Sequence, residues 1–276
     1  MPAQVLIINP NTSASVSRLL HELALQQIGA EVAVRVQTAR LGASYISDEV
    51  SYAIAGHALL DAYAFDRSQP GQRAPDAVLI GCFGDPGLLA LRQLSEAPVL
   101  GLAEASMRAA HALGPYAVVT GGRAWVPMLE RLAAQLALDD RLMAVQAVEK
   151  NGAQLAAQPQ EAAQELADLC LQVLAGAPGL QTLLLGGAAL GGLAAPVQDL
   201  LAQRGAPQVQ VLDSVRSSLG ALAAAARQHI AQRGALTTAA SDRAVGVSGT
   251  SSLNLSTELT QLLGQPSAVN WQVLAH

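Results

Sequence analysis

The chain has 276 residues, enough for one large or two small domains. A net charge of −5 without a basic run excludes nucleic acid and anionic membrane as expected partners, and no apolar run approaches a membrane span. Hydrophobic residues make up 51% and aromatic ones 3%, so the core is expected to be Ala, Leu and Val in a globular, enzyme-like chain.

Residues 5–8 form an apolar run that reads as a buried strand, followed by the turn Asn9-Pro10-Asn11-Thr12-Ser13. Pro10 holds Asn9 extended. Asn11, Thr12 and Ser13 offer oxygens and N–H groups that can cap the next helix, cradle an anion, or do both. A helix is expected over 15–27 and a strand over 32–37. An irregular stretch over 41–50 carries Tyr45, Ser47 and Asp48, and it suits a cleft wall or ordinary surface equally. Residues 51–65 read as a helix whose His57 is surface or packing rather than a base, and 66–75 as a polar loop.

Ala77-Val78-Leu79-Ile80 reads as a buried parallel strand, Gly81-Cys82-Phe83-Gly84-Asp85-Pro86-Gly87 as a turn, and 88–94 as a helix. Cys82 therefore stands at the carboxyl end of a strand, where open α/β sheets bind ligands. The helix amino terminus beyond it is expected to stabilise a thiolate or an anionic substrate. Buried free cysteine is often plain packing, but glycines on both sides of Cys82-Phe83 clear backbone that packing alone does not need cleared.

A strand follows over 99–102 and a helix over 104–113, with Glu104 read as its cap rather than a substrate contact. Residues 118–120 begin a second lobe, and Gly121-Gly122 opens a turn before a helix over 126–136. A helix over 159–174 sets Cys170 on its apolar face, as core. The helix over 213–232 is expected to stop at Gly234. The tail reads as a Ser-Gly turn over 245–249, a capped helix over 256–263 and an edge strand over 269–274. The amino terminus shows no signal-peptide layout, and two distant cysteines without zinc spacing suit a reducing cytoplasm.

The chain repeats itself. Leu185-Gly186-Gly187 matches Ile80-Gly81-Cys82, with Gly187 lying 105 residues beyond Cys82, and Gly192-Leu193 matches Gly87-Leu88 at the same offset. The strand starts agree too, with Thr120 as the counterpart of Asn9. This is a duplicated α/β lobe: residues 1–97 with 211–276 form lobe one and 98–210 lobe two. Each lobe is a parallel sheet flanked by helices, with a cleft between them. Cys82 and Gly187 are the equivalent positions across it.

With these residues in view, the chain resembles the aspartate/glutamate/hydantoin racemase superfamily, and within it the hydantoin racemase-like branch. The likeness is carried by Ile8-Asn9-Pro10-Asn11-Thr12-Ser13, Gly81-Cys82-Phe83-Gly84-Asp85-Pro86-Gly87-Leu88, Gly101-Leu102-Ala103-Glu104-Ala105 and Val118-Val119-Thr120. The tail is similar to the closing segment of glutamate racemases. The resemblance implies pseudo-symmetric lobes, no cofactor or metal, and a homo-oligomer acting on a small carboxylate, amino acid or hydantoin. By motif, Cys82 takes the place of the family's first catalytic cysteine. Asn9, Asn11 and Thr120 are placed to hold a carboxylate or ring carbonyl, with Thr12, Phe83, Gly84, Gly121, Gly187 and Ala188 beside them.

The departure is at the second cysteine, where the family's Leu-Gly-Cys-Ala-Gly becomes Leu185-Gly186-Gly187-Ala188-Ala189. Two-base racemisation needs a group on each face of the α-carbon, and glycine supplies none. Three readings follow. In one, a residue from elsewhere or water serves the second face. In another, a single cysteine acts as in arylmalonate decarboxylase-like or maleate isomerase-like lyases and isomerases, or as a hydrolase nucleophile. In the third, the cleft only binds a small carboxylate.

Overall fold

Four strands of the amino-terminal half form one parallel sheet. β1 (Ala3–Asn9) lies between β2 (Val32–Thr38) and β3 (Ala77–Ile80), and β4 (Val99–Gly101) borders β3. The structure, a computed structural model, describes residues 2–29, 31–236 and 255–263. The two central strands are continuous apolar runs because helices cover both their faces, and Leu6, Ile7, Leu79 and Ile80 are fully buried. Ile8 pairs with Ile80, so Asn9 and Gly81 leave the sheet side by side at its carboxyl edge.

The second sheet repeats this order. β5 (Tyr116–Gly121) lies between β6 (Leu142–Val148) and β7 (Thr182–Leu185), and β8 (Gln210–Asp213) borders β7. Val119 pairs with Leu185, which sets Thr120 beside Gly186. Cys82 and Gly187 each stand two residues past the end of the third strand of their sheet. Hydrogen bonding keeps β4 with the first sheet and β8 with the second. Sheet membership thus changes after these strands, rather than before them at the 97/98 and 210/211 boundaries read from sequence.

In chain order the helices are α1 (Ala14–Ile28), α2 (Glu49–Ser68), α3 (Leu88–Leu94), α4 (Leu102–Leu113) and α5 (Trp125–Gln135). They continue as α6 (Gly152–Ala157), α7 (Pro159–Gly176), α8 (Ala194–Gln203), α9 (Ser214–Leu236) and α10 (Thr257–Leu263). Two of them cross between lobes. α4 leaves the first sheet and packs on β7 of the second, while α9 leaves the second and packs on β1 and β3 of the first. They meet each other, and Ser218 Oγ donates to the Leu102 carbonyl at 2.9 Å. Among the described residues no helix is long and apolar enough to cross a membrane.

Several expectations change. α2 runs three residues past 65, and the capping box of Asp48 and Ser51 fixes its start. α9 continues through Gly234 to Leu236, because one glycine costs only about 1 kcal/mol against alanine in a helix interior. β6 and α6 were not legible as elements. β6 is an edge strand with mixed burial, so it presents no unbroken apolar run. Cys170 is fully buried among the α7 and α8 side chains, as expected of core. The tail turn and edge strand lie outside the described residues. α10 forms, with Ser256 Oγ accepting the Leu259 N–H at 3.2 Å, and Arg40 ties it to lobe one by pairing with both Asp61 and Glu258.

Candidate active site

The Cys82 turn is built around backbone contacts. A side chain on Gly81 would stand 3.1 Å from the Ile8 carbonyl oxygen and 2.7 Å from Leu20 Cδ1, so the strand can turn here only without one. The Cys82 carbonyl accepts the N–H groups of Gly84 (3.0 Å) and Asp85 (3.1 Å), which tightens the turn. Asp85 takes a left-handed φ of 55°, a conformation aspartate tolerates, and its buried carboxylate crosses to α4. There it accepts Ala103 N–H at 2.9 Å and Glu104 N–H at 2.7 Å. Asp85, not Glu104, caps α4. Glu104 lies in the first turn and pairs with Arg92 (2.5 Å) and Arg108 (3.2 Å).

This geometry corrects the expectation of a thiolate. Burial pushes the Cys82 thiol well above its ordinary range, and the neighbouring Asp85 carboxylate pushes it further. α3 is short and starts six residues on, at Leu88, and Asp85 stands between. Burial likewise lifts the Asp85 carboxyl to about 7, against the two N–H bonds that favour its charge. Cys82 is a neutral thiol until the pH rises or a ligand changes its surroundings.

Across the cleft, Thr120 Oγ1 donates to the Gly186 carbonyl at 2.6 Å, and Gly187 N–H donates to Ser214 Oγ at 3.3 Å. Gly187 has φ 150°, ψ 129°, and leads into a single 3-10 turn over Ala188–Leu190. A side chain at Gly187 would meet Leu190 Cγ at 3.1 Å, so the position is neither empty nor conformationally free. Phe83 spans the cleft, its ring lying against Gly186.

These walls enclose a cavity of about 40 Å³. That is room for a few waters, well below the usual size of a small-molecule site, so a ring-sized ligand enters only as the walls give way. Of the sequence-predicted residues, Asn11, Cys82, Phe83, Thr120, Gly121, Gly187 and Ala188 line it. Asn9, Thr12 and Gly84 do not. The Asn9 amide is held inside its own turn, donating to the Ser13 carbonyl (3.0 Å) and Ser17 Oγ (3.1 Å) and accepting Asn11 N–H. Thr12 is exposed, and Gly84 packs against the Trp125 ring. Asn11 uses its oxygen on Ser13 N–H at 2.9 Å, and its Nδ2 makes no hydrogen bond among the described residues, leaving a donor for the cleft.

Sequence reasoning missed three lining residues with side chains that matter: Tyr45, Ile46 and Trp125. Tyr45 stood in a loop read as equally suited to cleft or surface. Trp125 carried a signal, a tryptophan three residues after the Gly121-Gly122 turn. Among the described residues no Lys, Arg or His lines the cavity, and the titratable side chains that do are Cys82 and Tyr45. Among the described residues no group of three His, Cys, Asp or Glu could hold a metal ion.

The chain is 32% identical over 105 residues to a hydantoin racemase of Paenarthrobacter aurescens, a match covering 38% of this chain and 43% of that protein. A hydantoin racemase of Rhizobium meliloti is 26% identical over 193 residues, covering 70% of this chain and 78% of the other. Among solved structures, allantoin racemase from Klebsiella pneumoniae superposes with a TM-score of 0.73 at 23% identity, over 95% of this chain and all of that one, which shows the shared fold. Residues 5–226, nearly all of both lobes, match the family described as Asp/Glu/Hydantoin racemase, and the chain belongs to that family.

Proposed function

We propose that this protein is a cofactor-independent racemase or epimerase acting through Cys82 at the α-carbon of an uncharged hydantoin-type ring. The observation that carries the reading is the lining of the cleft. Cys82 and the Asn11 Nδ2 donor meet there with apolar Val16, Ile46, Trp125 and Leu190, and with no cationic side chain among the described residues. A free amino acid or dicarboxylate brings a full negative charge that such a wall does not neutralise, and an unpaired buried charge is costly. A hydantoin brings ring carbonyls and N–H groups that suit amide and backbone partners, and its 5-substituent suits the apolar wall. The related hydantoin racemases point to the same substrate class.

In this reading the Cys82 thiolate, formed in the minor ionised population, takes the C5 proton, and the electron pair moves onto the adjacent ring carbonyl. Asn11 Nδ2 donates to the developing oxyanion, an interaction stronger in the transition state than in the ground state. Return of a proton to the opposite face inverts the centre. Free cysteines suit a reducing compartment, so a cytoplasmic site belongs to the same proposal. The test is exchange of the stereocentre proton in deuterium oxide, C5–H of 5-isopropylhydantoin and Cα–H of glutamate, followed by NMR with single enantiomers of each. Exchange of the hydantoin alone, abolished in Cys82→Ala, is expected. Exchange of glutamate alone would overturn the substrate class, and exchange of neither would overturn the reaction.

A further inference from the structure

The position that pairs with Cys82 across the cleft has no side chain, yet a second titratable group is present. Tyr45 belongs to the lobe-one loop between β2 and α2, and its phenol reaches across to lobe two. There its oxygen accepts the N–H of Gly152, the first residue of α6, at 2.7 Å. A Cβ built on Gly152 would stand 2.7 Å from that oxygen and 3.2 Å from Ala189 Cβ, so phenol and Ala189 flank the same spot. Ala189 belongs to the 3-10 turn that begins directly after Gly187. The phenol thus lies against the wall on the Gly187 side of the cleft. Its oxygen is anchored by a backbone donor, and its hydrogen has no acceptor among the described residues, which leaves the O–H to donate to a molecule in the cleft.

We propose that Tyr45 is the second proton-transfer group of this site, serving the face of the substrate opposite Cys82. The proposal rests on the reading of Cys82 as the group that works at the α-carbon. In one direction the Cys82 thiolate takes the C5 proton and the C–H electron pair passes to the ring carbonyl. The Tyr45 O–H then protonates C5 from the other face, leaving a phenolate and a Cys82 thiol. The reverse reaction starts from that state. The pair therefore carries one proton before and after each turnover and two while the enolate is present, and one proton passing from thiol to phenolate resets it. Thiol and phenol lie within about two pKa units of each other in water, and in the site burial raises both.

The other candidates are placed elsewhere. Tyr52 meets the Trp125 ring edge-on at 6.5 Å and does not line the cavity. Asp85 stands on the Cys82 side with both oxygens bonded to α4. Thr120 gives its hydrogen to Gly186.

The test follows each enantiomer of 5-isopropylhydantoin separately in deuterium oxide, reading C5–H exchange by NMR and inversion by chiral chromatography. Wild type is expected to exchange and invert both. Tyr45→Phe, which keeps the ring, is expected to lose inversion by about 10²–10⁴-fold, the usual contribution of a general acid or base. It should still exchange one enantiomer with retention, because Cys82 returns deuterium to the face it deprotonated. A lost packing contact would slow both enantiomers alike, so this asymmetry distinguishes proton transfer from positioning. Undiminished inversion in Tyr45→Phe would overturn the role of Tyr45 while leaving Cys82 standing. Wild-type exchange of one enantiomer with retention would also overturn it and leave one-face chemistry. Wild type that exchanges neither would overturn this proposal together with the reading of Cys82.

Discussion

The ring of Phe83, just past β3 of the first lobe, lies against the backbone of Gly186, just past β7 of the second. The two turns equated by the internal repeat are therefore in contact, and the contact has no space for a side chain on the glycine. Gly186→Ala would put its methyl group into the ring. We expect a loss of about 1–3 kcal/mol, as for overpacking a filled core, with a fall in turnover as Phe83 is displaced into the cleft. Thermal melting and hydantoin exchange on the same sample check both. A variant as stable and active as wild type would show that Phe83 moves freely.

Cys82 should react slowly with iodoacetamide at neutral pH and faster with each step in pH, because burial and the Asp85 carboxylate hold it as a thiol. The groups coupled to it are Asp85, Tyr45 and Tyr52, and all of them disfavour its charge when ionised. Turnover should climb over the same alkaline range. Cys170, fully buried in the core of lobe two, should stay unlabelled until the protein unfolds. Mass spectrometry of the two peptides decides; equal labelling, or a rate flat with pH, would contradict this account.

Asp85→Asn removes the charge nearest Cys82, so alkylation of Cys82 should move to lower pH. The substitution also tests stability. The folded carboxyl, raised to about 7, lies above its unfolded value of about 4, so the folded state holds the proton longer. The stability advantage of Asp85 is then full below about pH 4 and shrinks as pH rises towards 7. Denaturant melts of the two proteins from pH 4 to pH 8 should show their difference narrowing; a widening difference would mean the α4 N–H bonds hold the carboxylate charged. Asp85→Ala removes both acceptors and should cost about 2 kcal/mol.

Asn11→Ala and Thr120→Ala should separate. Asn11 Nδ2 has no partner among the described residues and lines the cleft, so its loss should weaken hydantoin binding by about 1 kcal/mol in calorimetry and slow turnover further. The Thr120 hydroxyl is bonded to the Gly186 carbonyl, so its loss should lower the melting temperature by a few degrees, about 1 kcal/mol, with smaller change in affinity. The reverse pattern would exchange their roles.

Gly187→Cys would place a cysteine at the position the repeat pairs with Cys82, but not in free space. At φ 150° an L side chain is strained, and Leu190 stands 3.1 Å from the new Cβ. We expect about 1–3 kcal/mol of destabilisation. Unchanged melting would show that the turn adapts.

Much of this protein is legible in its residue pattern. The apolar runs at Val5–Ile8 and Ala77–Ile80, the first followed by an Asn-Pro-Asn turn and the second by a Gly- and Pro-bearing turn, specify parallel strands ending at the edge that lines the cleft, because local periodicity and turn chemistry act over a few residues. The repeat equating Cys82 with Gly187 is likewise a property of the chain, and the shared strand order bears it out. Contacts between distant segments are another matter. Asn9 and Asn11 look alike in sequence, but only packing turns one amide inward on Ser13 and Ser17 and leaves the other open to the cleft. Whether Tyr45 lay on the surface or in the cleft depended on Gly152, 107 residues away, offering its N–H. The charge state of Cys82 was decided by burial and by Asp85, whose carboxylate is fixed by α4. Desolvation and long-range hydrogen bonding are sums over neighbours that the linear order does not name, so the tertiary structure alone settles them.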